Sequence, residues 1–106
     1  MGIYNLVMLI FKKQLEFEWD SGNIDKNWQK HRVKSQEAEE VFFNQDKREY
    51  PDPKHSKKEI RKVIVGKTRK GRKLFIVYTF RKRVIRIISV RDLNKRKEAE
   101  LYEKTA

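Results

Sequence analysis

The chain reads as an α+β domain in which helices pack on an antiparallel β-sheet. Three observations predict this. Residues 59–67, 73–80 and 84–90 are dense in β-branched and aromatic side chains, as strands are. The connectors between them, Thr68-Arg69-Lys70-Gly71 and Arg81-Lys82-Arg83, are short, so consecutive strands should pair as antiparallel hairpins. Residues 24–42, by contrast, place their apolar side chains at helical spacing.

The elements follow in order. A length of 106 residues allows one domain with a modest core, assigned to residues 15–106. Residues 1–14 form a leader of open meaning. Its apolar run is too short for a bilayer, which needs roughly 20 residues, and its lysines follow the apolar stretch, unlike those of a signal peptide. An added edge strand, a sticky tail and a true start at Met8 all remain open. Leu15-Glu16-Phe17-Glu18-Trp19 alternates as a half-buried strand does. Asp20-Ser21-Gly22-Asn23 carries turn and N-cap chemistry, and a short helix is expected over 24–32 with Ile24, Trp28 and His31 inward. Ser35 is placed as the cap of a second helix. There Ala38, Val41 and Phe42 form an apolar stripe, and Glu37, Glu39 and Glu40 suit the positive end of the dipole. Residues 44–56, with Pro51 and Pro53, read as a polar loop. In the strand over 59–67, Arg61, Val63 and Val65 alternate with Ile60, Lys62 and Ile64. Residues 73–80 look like a central strand covered on both faces, and 84–90 is similar with Arg86 in its middle. A final helix is expected over 93–103, with Glu98, Leu101 and Tyr102 on one stripe.

The charge narrows the function. Of the net +12, residues 54–83 alone hold 13 Lys and Arg against one acid, Glu59. A field concentrated in that way attracts polyanions, of which nucleic acid is the usual one. With no cysteine, disulfides and thiolate metal sites are excluded. His31 and His55 are the only histidines, and no HExxH spacing occurs, so neither a metal nor any other cofactor is expected.

Candidate chemistry lies in the meander. Arg86, inside an apolar strand, is either a structural ion pair with an early glutamate or a guanidinium fork aimed at a phosphate. Glu59 and Arg61, two apart on one strand face, are either a surface ion pair or a general base beside a phosphate clamp. Arg91 follows the strand, but strict alternation turns it away from Arg86, which a shared pocket would have to overcome. Lys30 and His31 close the first helix, His31 being a core or capping residue or a neutral-pH acid–base group. Tyr78, Tyr102 and Trp19 are core aromatics or base-stacking platforms. Lys67 and Arg69 are taken as RNA contacts within the basic stretch. Spacing alone supports a basic nucleic-acid-binding domain.

Longer segments carry a resemblance. Phe17-Glu18-Trp19-Asp20, Lys26-Asn27, Lys30-His31, Glu37-Ala38 and Val41-Phe42 look like the opening of BrnT-type toxins. Glu59-Ile60-Arg61, Ile64-Val65-Gly66, Val77-Tyr78-Thr79, Arg86-Ile87-Ile88-Ser89-Val90-Arg91, Glu98 and Tyr102 continue it, from about residue 15 to 103. The sequence departs from the family pattern at Arg32, where glycine is frequent, and at Gln36, where an aromatic is. The resemblance implies a RelE-related fold and a cytoplasmic, metal-independent ribonuclease that inhibits translation. It also implies a BrnA-type ribbon-helix-helix antitoxin, and operator DNA bound only through the complex. Its functional positions are Arg61, Arg86 and Arg91, with Glu59, Lys30, His31 and Tyr102 as lesser members. The competing reading is a non-catalytic basic module that binds nucleic acid or an acidic partner.

Overall fold

A computed structural model describes residues 15–52 and 60–94. The leader, Glu59, Tyr102 and the expected final helix beyond residue 94 lie outside the described residues. The elements are β1 (Glu16–Glu18), α1 (Ser21–His31), α2 (Ser35–Phe42), β2 (Arg48–Pro51), β3 (Arg61–Lys67), β4 (Lys73–Arg81) and β5 (Val84–Asp92). Five strands form one sheet in the order β1-β5-β4-β3-β2. β1 runs parallel to β5, and the other neighbours are antiparallel. The α+β class and both hairpins are as the sequence predicts.

The helices cover one sheet face. Ala38, Val41 and Phe42 of α2 pack with Ile64, Leu74, Ile76, Tyr78, Ile85, Ile87 and Val90 in the main core. Burying each such aliphatic side chain stabilises the fold by about 1.5–3 kcal/mol. Phe42 stacks edge-on against Phe17 and Tyr78, with centroids 5.3 and 5.0 Å apart. The Tyr78 hydroxyl donates to Glu49 Oε1 at 2.7 Å. Burial, then that carboxylate, pushes its pKa well above the ordinary phenol value. Tyr78 is therefore a core residue and offers no stacking platform. Trp19 packs on the same core and donates Nε1–H to Glu39 Oε2 at 3.0 Å. Gly66 lets α2 lie close: a Cβ there would stand 2.9 Å from Val41 Cγ1.

Several expectations change. Helix α1 buries Asn27, while Ile24 and Trp28 remain 37% and 43% exposed. The helix begins earlier than expected, capped by Asp20, whose carboxylate accepts the Gly22 N–H at 2.7 Å. It docks through a polar contact as well: Asn27 Oδ1 accepts the Val90 N–H at 3.3 Å. Ser35 is the first residue of α2 rather than its cap. The start of α2 is held instead by Glu37 Oε1, which accepts the Lys34 N–H at 3.0 Å. The supposed polar loop contains the edge strand β2, where Tyr50 opposite Val63 and Glu49 opposite Ile64 supply partners that no periodicity announces. Strand β4 is not equally covered: Leu74, Ile76 and Tyr78 are buried beneath the helices, whereas Phe75 and Val77 are half-buried on the opposite face. Leu93 and Asn94 are not helical, and the Leu93 N–H bonds the Lys73 carbonyl at 3.0 Å, continuing the ladder.

Both hairpins close through backbone of positive φ. Gly71, at φ 89°, ends the β3–β4 loop, where Thr68 N–H meets Arg72 O at 2.8 Å. Lys82 and Arg83, at φ 49° and 68°, form the two-residue β4–β5 turn. Two successive positive φ values match a type I′ turn, whose twist suits a hairpin.

Candidate active site

Register determines which side chains meet on the sheet face opposite the helices. Arg61 lies opposite Thr79, and Thr79 opposite Arg86. Directly opposed residues in an antiparallel sheet project to one side. Arg61, Thr79 and Arg86 therefore form a row across β3, β4 and β5. At about 4.8 Å per strand, the outer two backbones are roughly 10 Å apart.

Arg91 joins them through an irregularity. Strand β5 pairs Ser89 with Val77 and Ile87 with Tyr78, which leaves Ile88 as an extra residue. A bulge of this kind shifts the alternation by one. Arg91 thus stands opposite Phe75, on the same face as Arg86. Plain alternation separates the two arginines, and the bulge reunites them. The Arg91 guanidinium lies over the Phe75 ring, 4.1 Å from its centroid, and donates to the Asp92 carbonyl at 3.2 Å.

Between Arg61 and Arg91 lies a cavity of about 380 Å³, and Arg86, though on the same face, is not among its described lining residues. Val63, Phe75, Val77 and Ile88 contribute apolar lining, while Arg61, Arg91, Ser89 and Asp52 contribute polar groups. The Asp52 backbone is fixed beside Arg61 by its N–H bond to the Arg61 carbonyl, 3.0 Å long. Thr79 is buried, and its hydroxyl donates to the Ile60 carbonyl at 2.9 Å, holding the entry to β3. Arg86 is exposed, not buried as an inner-strand position suggests, and no ion pair joins it to another described residue. An exposed guanidinium keeps its hydration, so the charge costs little there.

The other expected site residues sit elsewhere. Lys67 shares the Arg61 face but lies six residues further along β3, roughly 20 Å away. Arg69 is in the hairpin loop, its N–H donating to Glu40 Oε1 at 3.0 Å. Lys30 and His31 end α1, and neither lines the cavity. His31 instead belongs to a cluster built around Arg72. The Arg72 guanidinium grips Asp92 at 2.7 and 3.0 Å and reaches Glu37 at 3.3 Å. It also donates to the carbonyls of His31 and Arg32, each at 2.8 Å. One side chain thereby ties together the β3–β4 loop, β5 and the ends of both helices. Its bond holds the Asp92 carboxyl below the usual carboxylate range. Sequence reasoning passed over Arg72 because it is one of 13 cations in a basic stretch. It passed over Asp52 because a lone acid between two prolines reads as turn chemistry. Among the described residues, no three His, Cys, Asp or Glu stand close enough to hold a metal ion.

Comparison with known proteins decides the family. The family described as "Ribonuclease toxin, BrnT, of type II toxin-antitoxin system" matches residues 19–97. The chain belongs to the BrnT family. Among solved structures, the fold is similar to that of the Brucella abortus ribonuclease toxin, BrnT, with a TM-score of 0.60 and 14% identity. That similarity covers 76% of this chain and 99% of the Brucella chain. No match is found among curated proteins. As a member of a ribonuclease toxin family of toxin–antitoxin systems, the chain has RNA as its substrate class and an antitoxin as its partner class. No helix among the described residues is long and apolar enough to cross a membrane. Arg32 is the left-handed residue that closes α1, at φ 53°, where glycine is least strained.

Proposed function

We propose that the chain cleaves RNA by transesterification without a metal, using the arginine-bearing face opposite the helices. The observation that carries this reading is the bulge at Ile88, which sets Arg86 and Arg91 on the side occupied by Arg61. An RNA phosphate lying over that face meets guanidinium groups from three places. The ribose 2′-oxygen attacks phosphorus, the bond to the 5′-oxygen breaks, and charge gathers on the equatorial oxygens. Arg61 and Arg86 offer cations to that charge. Arg91, over the Phe75 ring, orients the strand. Glu59, two positions before Arg61 in sequence, is the base assigned to the 2′-proton, and the leaving 5′-oxygen gains a proton. The products are a 2′,3′-cyclic phosphate and a 5′-hydroxyl. DNA is spared because it lacks the 2′-oxygen.

The partner we assign is a BrnA-type antitoxin with a ribbon-helix-helix domain, through which the complex would reach operator DNA and regulate its own synthesis. A toxin that halts translation acts on RNA in the cytoplasm. These assignments are supported by the family and by the basic face.

Incubation of the purified chain with RNA in EDTA, followed by detection of cyclic phosphate ends, tests the reaction. Arg61→Ala and Arg86→Ala should each slow cleavage by about 10²–10³ while leaving thermal unfolding unchanged. Tight, salt-sensitive binding of both RNA and DNA with every substrate left intact would establish the non-catalytic module instead.

A further inference from the structure

We infer that Lys82 and Arg83, at the tip of the β4–β5 hairpin, form a backbone clamp for single-stranded RNA, holding phosphates beyond the one at the arginine face. This rests on the reading of that face as the RNA site and extends it along the strand. The guide is where the chain accepts strain. Both hairpins turn through positive φ, and the β3–β4 loop places Gly71 there, at φ 89°. The β4–β5 turn instead places Lys82 at φ 49° and Arg83 at φ 68°. A Cβ is disfavoured in that region, which is why two-residue turns of this type favour Asn-Gly. No contact within the fold offsets the strain. Lys82 and Arg83 are exposed, and among the described residues neither side chain makes an ion pair, a hydrogen bond or a ring contact. Local strain that the fold itself does not use points to function.

The position of the tip fits RNA. Arg81 lies opposite Val84 and Thr79 opposite Arg86, so the turn directly continues the end of the sheet that carries Arg86. Arg83 is three residues from Arg86, roughly 10 Å along the strand. An extended RNA whose reacting phosphate lies over Arg61 and Arg86 therefore carries its neighbouring phosphates past the tip. Phe80, two residues before Lys82, is 51% exposed and offers an open ring to an unstacked base. Cations beside an exposed aromatic are the pairing that single strands use, whereas an acidic protein segment needs the cations alone.

The test is binding of a 2′-O-methyl RNA of about twelve nucleotides, which cannot be cut, to the full chain between about 50 and 200 mM salt. Lys82→Asn with Arg83→Gly, the relaxed turn, should raise Tm by about 4 °C or more. The same variant should lower the slope of log affinity against log salt by about 1.4, two phosphate contacts at about 0.7 each. A protein that becomes more stable and binds RNA less well has not lost binding by misfolding. Lys82→Gln with Arg83→Gln should lose the same slope without the rise in Tm. Arg69→Gln with Lys70→Gln, in the other hairpin, should change the slope by less than half as much. An unchanged slope in either tip variant, an equal fall in the Arg69 and Lys70 variant, or a Tm that does not rise with Asn-Gly overturns the inference. So does weakened binding of poly-glutamate with RNA binding intact, which assigns the tip to an acidic protein. If ordinary RNA stays uncut by the parent while the slope difference holds, the catalytic reading fails and the clamp stands.

Discussion

Deleting Ile88 is the sharpest test of how this sheet assembles its arginines. A deletion in the middle of a strand ordinarily turns every later side chain to the wrong face. Here Ile88 is the unpaired residue, because Val77 faces Ser89 and Tyr78 faces Ile87. Its removal should leave Arg86 opposite Thr79, Val90 opposite Ile76 and Arg91 opposite Phe75. The loss is then the half-buried Ile88 side chain itself, about 1 kcal/mol as a fraction of the 1.5–3 kcal/mol for full burial. For a domain of this size that corresponds to a fall in Tm of about 4–8 °C. A true register slip would instead expose Val90 and Leu93 and bury charges, a cost of about 3–6 kcal/mol from the two lost burials alone. That is comparable to the whole stability of many small domains. The assay is thermal unfolding by circular dichroism together with RNA cleavage, with deletion of Ile76 from the regular strand β4 as the control. The Ile88 deletion should fold and retain Arg91 in the cavity, and the Ile76 deletion should not fold. Equal collapse of both would refute the bulge as the device that aligns the arginines.

Three further outcomes follow from packing and charge. Gly66→Ala should destabilise by about 1–3 kcal/mol through overpacking against Val41, read as a lower urea midpoint. A shortened partner, Gly66→Ala with Val41→Ala, should recover part of it. Arg32→Gly should stabilise by about 0.5–1 kcal/mol, relief of the left-handed backbone exceeding the loss of the exposed Arg32–Trp28 contact. Asp92 has its folded pKa lowered by Arg72, so its contribution is complete above the unfolded value, about 3.9, and fades as pH falls through the folded one. Asp92→Asn should therefore be less stable than the parent at pH 7, and the difference should shrink as the pH falls below the unfolded carboxylate value.

Much of the fold was readable because its signals are local. The stripe of Ala38, Val41 and Phe42 and the short basic connectors each concern residues within one turn or hairpin. What escaped depends on distant partners. Strand β2 has no alternation of its own and exists because Glu49 and Tyr50 find Ile64 and Val63 across the sheet. Ile24 and Trp28, four apart in α1, suggest an apolar inner face. The helix docks instead with Asn27 buried against a β5 backbone donor, and polar docking has no hydrophobic signature.

The candidate site shows the same division more sharply. That Arg61, Arg86 and Arg91 are unusual was visible from composition, but whether they can act together depends on the parity of one strand. Five positions separate Arg86 from Arg91, and an odd interval in a regular strand directs them to opposite faces. A bulge is a property of two strands compared with each other, so nothing in Arg86-Ile87-Ile88-Ser89-Val90-Arg91 alone reveals it. The partner strand decides, by offering two consecutive residues, Val77 and Tyr78, to three on β5. The extra residue therefore does for the arginines what no substitution at either position could do. It adds the half-turn of side-chain direction that brings the last guanidinium round to the face bearing the other two.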